Sequence, residues 1–452
     1  MSEGAANATL EIRLLPSAQD PAPHILDGCG QPDAVVGALG AGVSPERLGD
    51  LLEQLGIEAA ASFYCRLRQW ALAGRVELHL RRGSRSLAAL TLKDDALDIL
   101  EEPPPAEEYE LSRFAFAVSR EPGLLLCCAA SDRALMVDGV IGGVLLEIFS
   151  RPRSVRDAAR PLSLDIPSTR LLFGLLRRAG VIVAAGEAGA SLPYWSLHDR
   201  LFDRTVASQL RAASYPHLGR LHPPPVSTEP RGTETTDLEP WRDSPAGACE
   251  PTFAEVMARR RSIRSHGDVA ITAAQLGAFL DRSARILRVL PPGFGGYQVS
   301  RRPYPSAGAT FPIEIYVGAL RCAGLGIGIY HYDALRHRLT MLPLPVNEVE
   351  QLGRTSGAMT GNASMLPQVF LVLTGRLARA VWKYGDMGYG LMLRDSGVLQ
   401  QTLHLTAVAM GLASCILGAP PARFARLTGI DADEEPALGQ ILLGTMPGRD
   451  SP

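Results

Sequence analysis

The chain has 452 residues, 46% of them apolar and 6% aromatic, and 45 basic against 47 acidic side chains leave a formal charge of −2. That length predicts two or three domains with real cores. The even charge excludes a general electrostatic attraction to nucleic acid or to an anionic membrane. Seven cysteines (Cys29, Cys65, Cys127, Cys128, Cys249, Cys322, Cys415) are an odd number without metal-type spacing, so they read as reduced thiols and no metal site is expected. No basic-then-apolar segment opens the chain. The most apolar long stretch, Leu399 to Ala419, holds two glutamines and a histidine. A cytoplasmic protein without a membrane span is the expectation.

Residues 1–105 predict helices near Gln31–Leu39, Ser44–Leu55 and Ala59–Ala73, with Ser44-Pro45-Glu46 as a helix start. Alternation then predicts strands at Val76–Leu80 and Leu87–Leu92, so the segment reads as a winged helix-turn-helix-like module. Residues 106–218 follow similar logic. Strands are predicted at Gly123–Ala130, Ala134–Val137 and Val181–Ala184, and helices at Val144–Phe149, Val155–Ala159 and Ser168–Ala179. Neither module carries a basic recognition helix, which argues against DNA. Residues 219–251, rich in Pro, Thr, Glu and Gly, read as an extended linker.

Residues 252–452 predict an α+β domain. Strands are expected at Ile313–Ala319, Gly328–Asp333, Arg338–Leu342, Val369–Thr374, Ser414–Leu417 and Gly439–Leu443, with a long helix from about Met387 to Met410. The domain opens on an amphipathic run, Phe253–Ala258, followed by Arg259-Arg260-Arg261-Ser262-Ile263-Arg264. Guanidinium forks beside a hydroxyl suit a phosphate group. The small residues Pro305-Ser306-Ala307-Gly308 let backbone approach a flat ring. Lys383-Tyr384 by itself reads as a surface lysine beside a half-buried tyrosine. Leu417-Gly418-Ala419-Pro420 ends a strand with backbone N–H groups available to a ligand. His331, His337 and His404 read as structural histidines rather than ligands.

Taken in order, these segments resemble the FMN-dependent nitroreductase superfamily, and within it the SagB/McbC-type azoline (thiazoline/oxazoline) oxidases that modify ribosomally made peptides. The resemblance rests on Arg260-Arg261-Ser262-Ile263-Arg264, Tyr304–Thr310, Pro312–Tyr316, Gly328–Asp333, Trp382–Gly385, Arg394–Gly397, Gln401, His404-Leu405, Gly411-Leu412 and Leu417–Ala419. It spans nearly all of the last 200 residues. The Trp195–Phe202 segment is similar to one that precedes the linker in such chains, and there a docking role is expected. The sequence departs from the family at Ala307, Val398 and Thr402, where glycine, histidine and asparagine are frequent.

The resemblance implies an α+β nitroreductase-like FMN fold, a central antiparallel or mixed sheet flanked by helices, in a homodimer with FMN at the subunit interface. Arg260, Arg261, Ser262 and Arg264 are implied FMN phosphate and ribityl contacts. Pro305, Ser306, Ala307, Gly308, Gln401, Gly418 and Ala419 are implied ring-side contacts, Arg449 is an implied further phosphate contact, and Lys383 with Tyr384 is the implied acid/base pair. The implied reaction aromatises azoline rings of a precursor peptide, with dioxygen as electron acceptor and a cyclodehydratase as partner. The winged-helix-like modules are then expected to hold leader peptide or partner protein. Another flavin oxidoreductase of the same fold, or a flavin-free scaffold, stays open as an alternative.

Overall fold

The computed structural model describes residues 7–16, 32–92, 108–131, 133–186, 196–209, 223–241, 250–293, 296–421 and 423–448. The chain divides into two compact units, Met1–Arg204 and Thr205–Pro452.

The first unit runs β1 (Thr9–Leu14), α1 (Pro32–Ala41), α2 (Pro45–Leu55), α3 (Ile57–Leu72), β2 (Val76–Arg82) and β3 (Arg85–Leu92). It continues with β4 (Tyr109–Leu111), β5 (Ala115–Arg120), β6 (Gly123–Cys128), β7 (Ala134–Asp138), α4 (Gly139–Ile148), α5 (Val155–Leu162), α6 (Ile166–Arg178) and β8 (Ile182–Ala184). The Ser44 hydroxyl accepts from the Arg47 N–H at 3.3 Å and Pro45 sits in the first turn, so α2 starts where its capping residues dictate. Six strands form one sheet in the order β1-β2-β3-β7-β6-β5. β3 joins the two halves, pairing Ala88 with Val137 and Leu90 with Leu135. Leu39, Leu67, Leu78 and Leu90 share one core with Leu135, Leu172 and Phe173. The boundary expected at residue 105 thus separates two segments with a common sheet and a common core. Helix α7 (Leu197–Gln209) follows, and its Leu197 and Leu201 pack on Phe114, Cys128 and Ala129. Trp195 lies outside the described residues.

In the second unit the order is β9 (Glu234–Asp237), α8 (Phe253–Arg259), β10 (Ile271–Thr272), α9 (Ala273–Ser283), β11 (Arg288–Val289), β12 (Ser300–Arg301), β13 (Ile313–Ala319) and β14 (Cys322–Ala323). Then come β15 (Gly328–Asp333), β16 (Arg338–Met341), α10 (Val346–Ala358), β17 (Val369–Gly375), α11 (Leu377–Tyr384), α12 (Gly388–Ala409), β18 (Leu412–Leu417), α13 (Phe424–Thr428) and β19 (Ala437–Thr445). Seven strands make an antiparallel sheet in the order β18-β19-β17-β13-β15-β16-β9. β17 reads as an unbroken apolar run because both its faces are covered. Val369, Leu371 and Leu373 pack with Leu399 and Leu403 of α12, while Phe370 and Val372 pack with Val349 and Leu352 of α10.

Residues 234–237 lie inside the stretch expected to be a linker. They form the edge strand β9, paired from Arg338↔Asp237 to Met341↔Glu234. Their polar sequence gives no strand signal, and the open edge of β16 supplies the ladder. Among the described residues no helix is long and apolar enough to cross a membrane.

Candidate active site

The turn from Pro305 to Phe311 is built around one buried carboxylate. Asp395 of α12 accepts from the Ser306 hydroxyl through Oδ2 and from the Ala307 N–H through Oδ1 at 3.1 Å. The Ser306 oxygen in turn accepts from the Phe311 N–H at 2.9 Å, and the Thr310 hydroxyl donates to the Ala307 carbonyl at 3.0 Å. Burial pushes the Asp395 carboxyl up from its ordinary value, and the two donors hold it back. Within the turn Gly308 has φ 52° and Ala309 has φ 55°, both left-handed. At Gly308 the requirement is also steric, since a Cβ there would strike the Tyr384 hydroxyl and Lys383 Nζ.

Helix α11 delivers those two side chains. Lys383 Nζ donates to the Gly308 carbonyl at 2.9 Å and lies 5.7 Å from the Tyr297 ring centroid and 5.6 Å from that of Tyr384. Burial lowers the Lys383 pKa, and the Arg379 guanidinium one turn earlier adds to the fall. Tyr297 stacks on Trp382 with centroids 4.9 Å apart and its own pKa is pushed up to about 12 by burial. The sequence holds only two lysines, Lys93 and Lys383, so 43 of the 45 basic residues (45 − 2) are arginines. Guanidinium does not deprotonate in proteins, so few basic side chains in this chain can act as a base.

The arginine cluster leaves the C-terminus of α8 in extended form, with Arg260 at φ −58° and ψ 117°. Its Ile263 N–H donates to the Ser414 carbonyl at 2.9 Å, laying the cluster along β18. Arg260, Arg261, Ser262 and Arg264 are exposed, and among the described residues no carboxylate forms an ion pair with these three arginines. Arg260 Nη1 approaches His404 Nε2 at 3.5 Å, and His404 Nδ1 bonds the Ser414 hydroxyl at 2.9 Å. Burial and the adjacent Arg260 lower the His404 pKa, which favours a neutral ring. Three guanidiniums without carboxylate partners among the described residues, with a hydroxyl on the same exposed segment, match the donor set of a phosphate site.

The expected residues therefore gather in two groups: Ser306, Ala307 and Gly308 with Lys383 and Tyr384, and the arginine cluster with His404 and β18. Among the described residues no hydrogen bond joins the groups directly. Their common support is α12, where Asp395 and His404 are nine residues apart, about 13.5 Å along the axis. Gln401 is exposed on that helix between them, Gly418 and Ala419 are exposed just beyond β18, and Pro305 is exposed at the head of the turn. Arg449 lies outside the described residues. Three residues went unassigned in the sequence: Asp395, Tyr297 and Arg379. Only Asp395 had a signal, as part of Arg394–Gly397.

Comparison with known proteins bears on the second unit. A protein of Methanocaldococcus jannaschii named as a nitroreductase is 26% identical over 174 residues, covering 38% of this chain and 80% of its own length. The microcin B17-processing protein McbC of Escherichia coli is 31% identical over 25% of this chain, and the trifolitoxin-processing protein TfxB of Rhizobium leguminosarum 30% identical over 25%. The matches span only 42% and 31% of those two relatives' lengths. Residues 257–445, a span that includes both groups of side chains, match the sequence model of the nitroreductase family.

Proposed function

We propose that the protein is an FMN-dependent azoline oxidase, which dehydrogenates thiazoline or oxazoline rings in a ribosomally made peptide. One observation carries the reading: the half-buried Lys383 amine, its pKa lowered, is held on the Gly308 turn beside Tyr384 in a chain of two lysines. Reduction of a nitro group or a quinone requires no positioned base. Removal of hydrogen from an azoline ring carbon does.

The residues present fit the cofactor. Arg260, Arg261 and Arg264, exposed and without carboxylate partners among the described residues, would hold the phosphate with Ser262. The Ser306–Gly308 turn, where a glycine leaves backbone bare, would face the ring, with Gln401, Gly418 and Ala419 as further contacts. FMN, when bound, supplies a two-electron acceptor. Lys383 Nζ takes the proton released from the ring carbon, Tyr384 orients or relays it, and Asp395 keeps the turn from drifting.

The relatives named for microcin B17 and trifolitoxin processing support a precursor peptide as substrate. A cyclodehydratase is the proposed enzyme that forms the rings. Dioxygen is the proposed terminal acceptor. The first unit is the proposed site of leader-peptide or partner capture. A homodimer is proposed as well, supported by the apolar side chains that α8 leaves open, Phe253 at 73% and Met257 at 46% exposure.

The test is incubation of the FMN-loaded protein with a cyclodehydrated precursor peptide under air. Loss of two hydrogens per ring by mass supports the reading. Intact rings together with ready NAD(P)H-driven nitroarene reduction would replace it with a simple nitroreductase.

A further inference from the structure

Arg379 is fully buried, at 0% exposure, yet among the described residues no carboxylate forms an ion pair with it. Its guanidinium donates instead to three backbone carbonyls from separate parts of the chain. Nε reaches Thr310, Nη1 reaches Pro224 at 2.7 Å and Nη2 reaches Gln298 at 2.8 Å. Its Cζ also lies 4.5 Å from the Tyr297 ring centroid, and the Tyr297 hydroxyl donates to the Arg379 carbonyl at 3.3 Å. A buried cation without a counter-ion is expensive, and an apolar side chain is the cheaper filler. What the guanidinium adds is a junction.

Each joined segment bears on Lys383. Thr310 closes the turn whose Gly308 carbonyl holds the Lys383 amine. Gln298 follows Tyr297, whose ring lies near that amine. Pro224 belongs to Pro223-Pro-Pro225, a stiff stretch that has no N–H to donate, so its carbonyls are its only handles. Three successive carbonyls, running from the strap into Val226, each meet an arginine: Pro224 meets Arg379, Pro225 meets Arg376 at 2.7 Å and Val226 meets Arg302 at 3.5 Å.

We propose that Arg379 is a positioning residue through which the Pro223–Pro225 strap holds the Lys383 amine in place on the Gly308 turn. The catalytic consequence rests on the azoline oxidase reading; the coupling itself does not. Besides Arg379, the ionisable groups around Lys383 are Tyr297, Tyr384 and, beneath the turn, Asp395 on α12. Burial and the neighbouring cations Arg376 and Arg302 lower the Arg379 pKa to about 10, which leaves it charged at neutral pH. Loss of that cation leaves burial as the force acting on the lysine, and its pKa rises.

The experiment labels the full-length protein with carbon-13 at lysine Cε, where two lysines give two side-chain signals. The Lys383 resonance, assigned by its absence in Lys383→Met, is titrated in the wild type, in Arg379→Met and in a strap variant, Pro224→Gly with Pro225→Gly. An upward shift of the Lys383 pKa in Arg379→Met, with a broadened Lys383 signal in the strap variant, is expected. In parallel, kcat for azoline oxidation should fall about tenfold in both, with KM changed less than about twofold, as for loss of an interaction that acts on the chemical step. Should Arg379→Met fail to fold, the strap variant alone decides. A Lys383 titration and line width equal to wild type in every folded variant overturns the proposal. If no variant, wild type included, oxidises azolines, the functional reading has failed while the titration still judges the coupling.

Discussion

Asp395 and Ala307, 88 positions apart in sequence, meet at 3.1 Å, with the buried carboxylate of α12 accepting from the backbone N–H of the Ser306–Gly308 turn. This contact, with its companion from Ser306, decides where Gly308 sits and hence where Lys383 ends. Asp395→Ala removes the acceptor for two half-buried donors. It should destabilise the second unit by roughly 2 kcal/mol, at about 1 kcal/mol for each lost bond. Urea unfolding followed by tryptophan fluorescence measures this, and a change below about 0.5 kcal/mol would remove Asp395 from the account.

Gly308→Ala combines an unfavourable left-handed φ with a Cβ that strikes the Lys383 and Tyr384 side chains. The expected result is a folded, flavin-binding protein whose kcat falls about a hundredfold, the scale of a displaced general base. Unaltered turnover in this variant would mean that the pair works elsewhere.

The pH dependence follows from the direction of the Lys383 shift. A base is active when neutral, so the rate rises with pH through the pKa of the folded protein and levels off above it. Burial and Arg379 lower that pKa from 10.5, so the rising limb lies at lower pH than an ordinary lysine would give. Lys383→Arg keeps a charge that is never lost and should reduce kcat by about 10² to 10⁴ at every pH. A limb that survives in Lys383→Arg would assign it to another group.

Arg260, Arg261 and Arg264 form the exposed cationic segment along β18. Each Arg→Ala change should weaken FMN by about tenfold to a hundredfold, the worth of a charge-assisted hydrogen bond of about 1.5 to 3 kcal/mol. Quenching of flavin fluorescence on titration reads this directly, without reference to substrate. A triple variant that holds FMN as tightly as wild type would place the phosphate elsewhere.

Much of the second unit was legible in the sequence because its strands are short apolar runs bounded by turns. The predicted strands at Ile313–Ala319 and Gly328–Asp333 occur with those ends, and the long helix predicted near Met387–Met410 is Gly388–Ala409. The strand at 234–237 was illegible, since Glu-Thr-Thr-Asp carries neither alternation nor β-branched bulk enough to stand out within a polar stretch. His404 was legible as a structural histidine, and its bond to Ser414 with Arg260 nearby gives it a partner on each ring nitrogen.

The amino-acid sequence by itself determined the local pieces: the apolar runs that become strands, the serine and proline that start α2, the glycine that takes a left-handed turn, and a lysine kept where nearly every other cation is an arginine. Those are short-range consequences of side-chain shape, polarity and backbone freedom. Only the tertiary structure decided that Asp395 anchors the turn, that Arg379 binds a strap 155 positions away and that His404 backs the arginine cluster. Such contacts join polar groups whose partners are chosen by burial. A buried donor or acceptor must be satisfied by whatever packing brings alongside it, and no local pattern announces that neighbour.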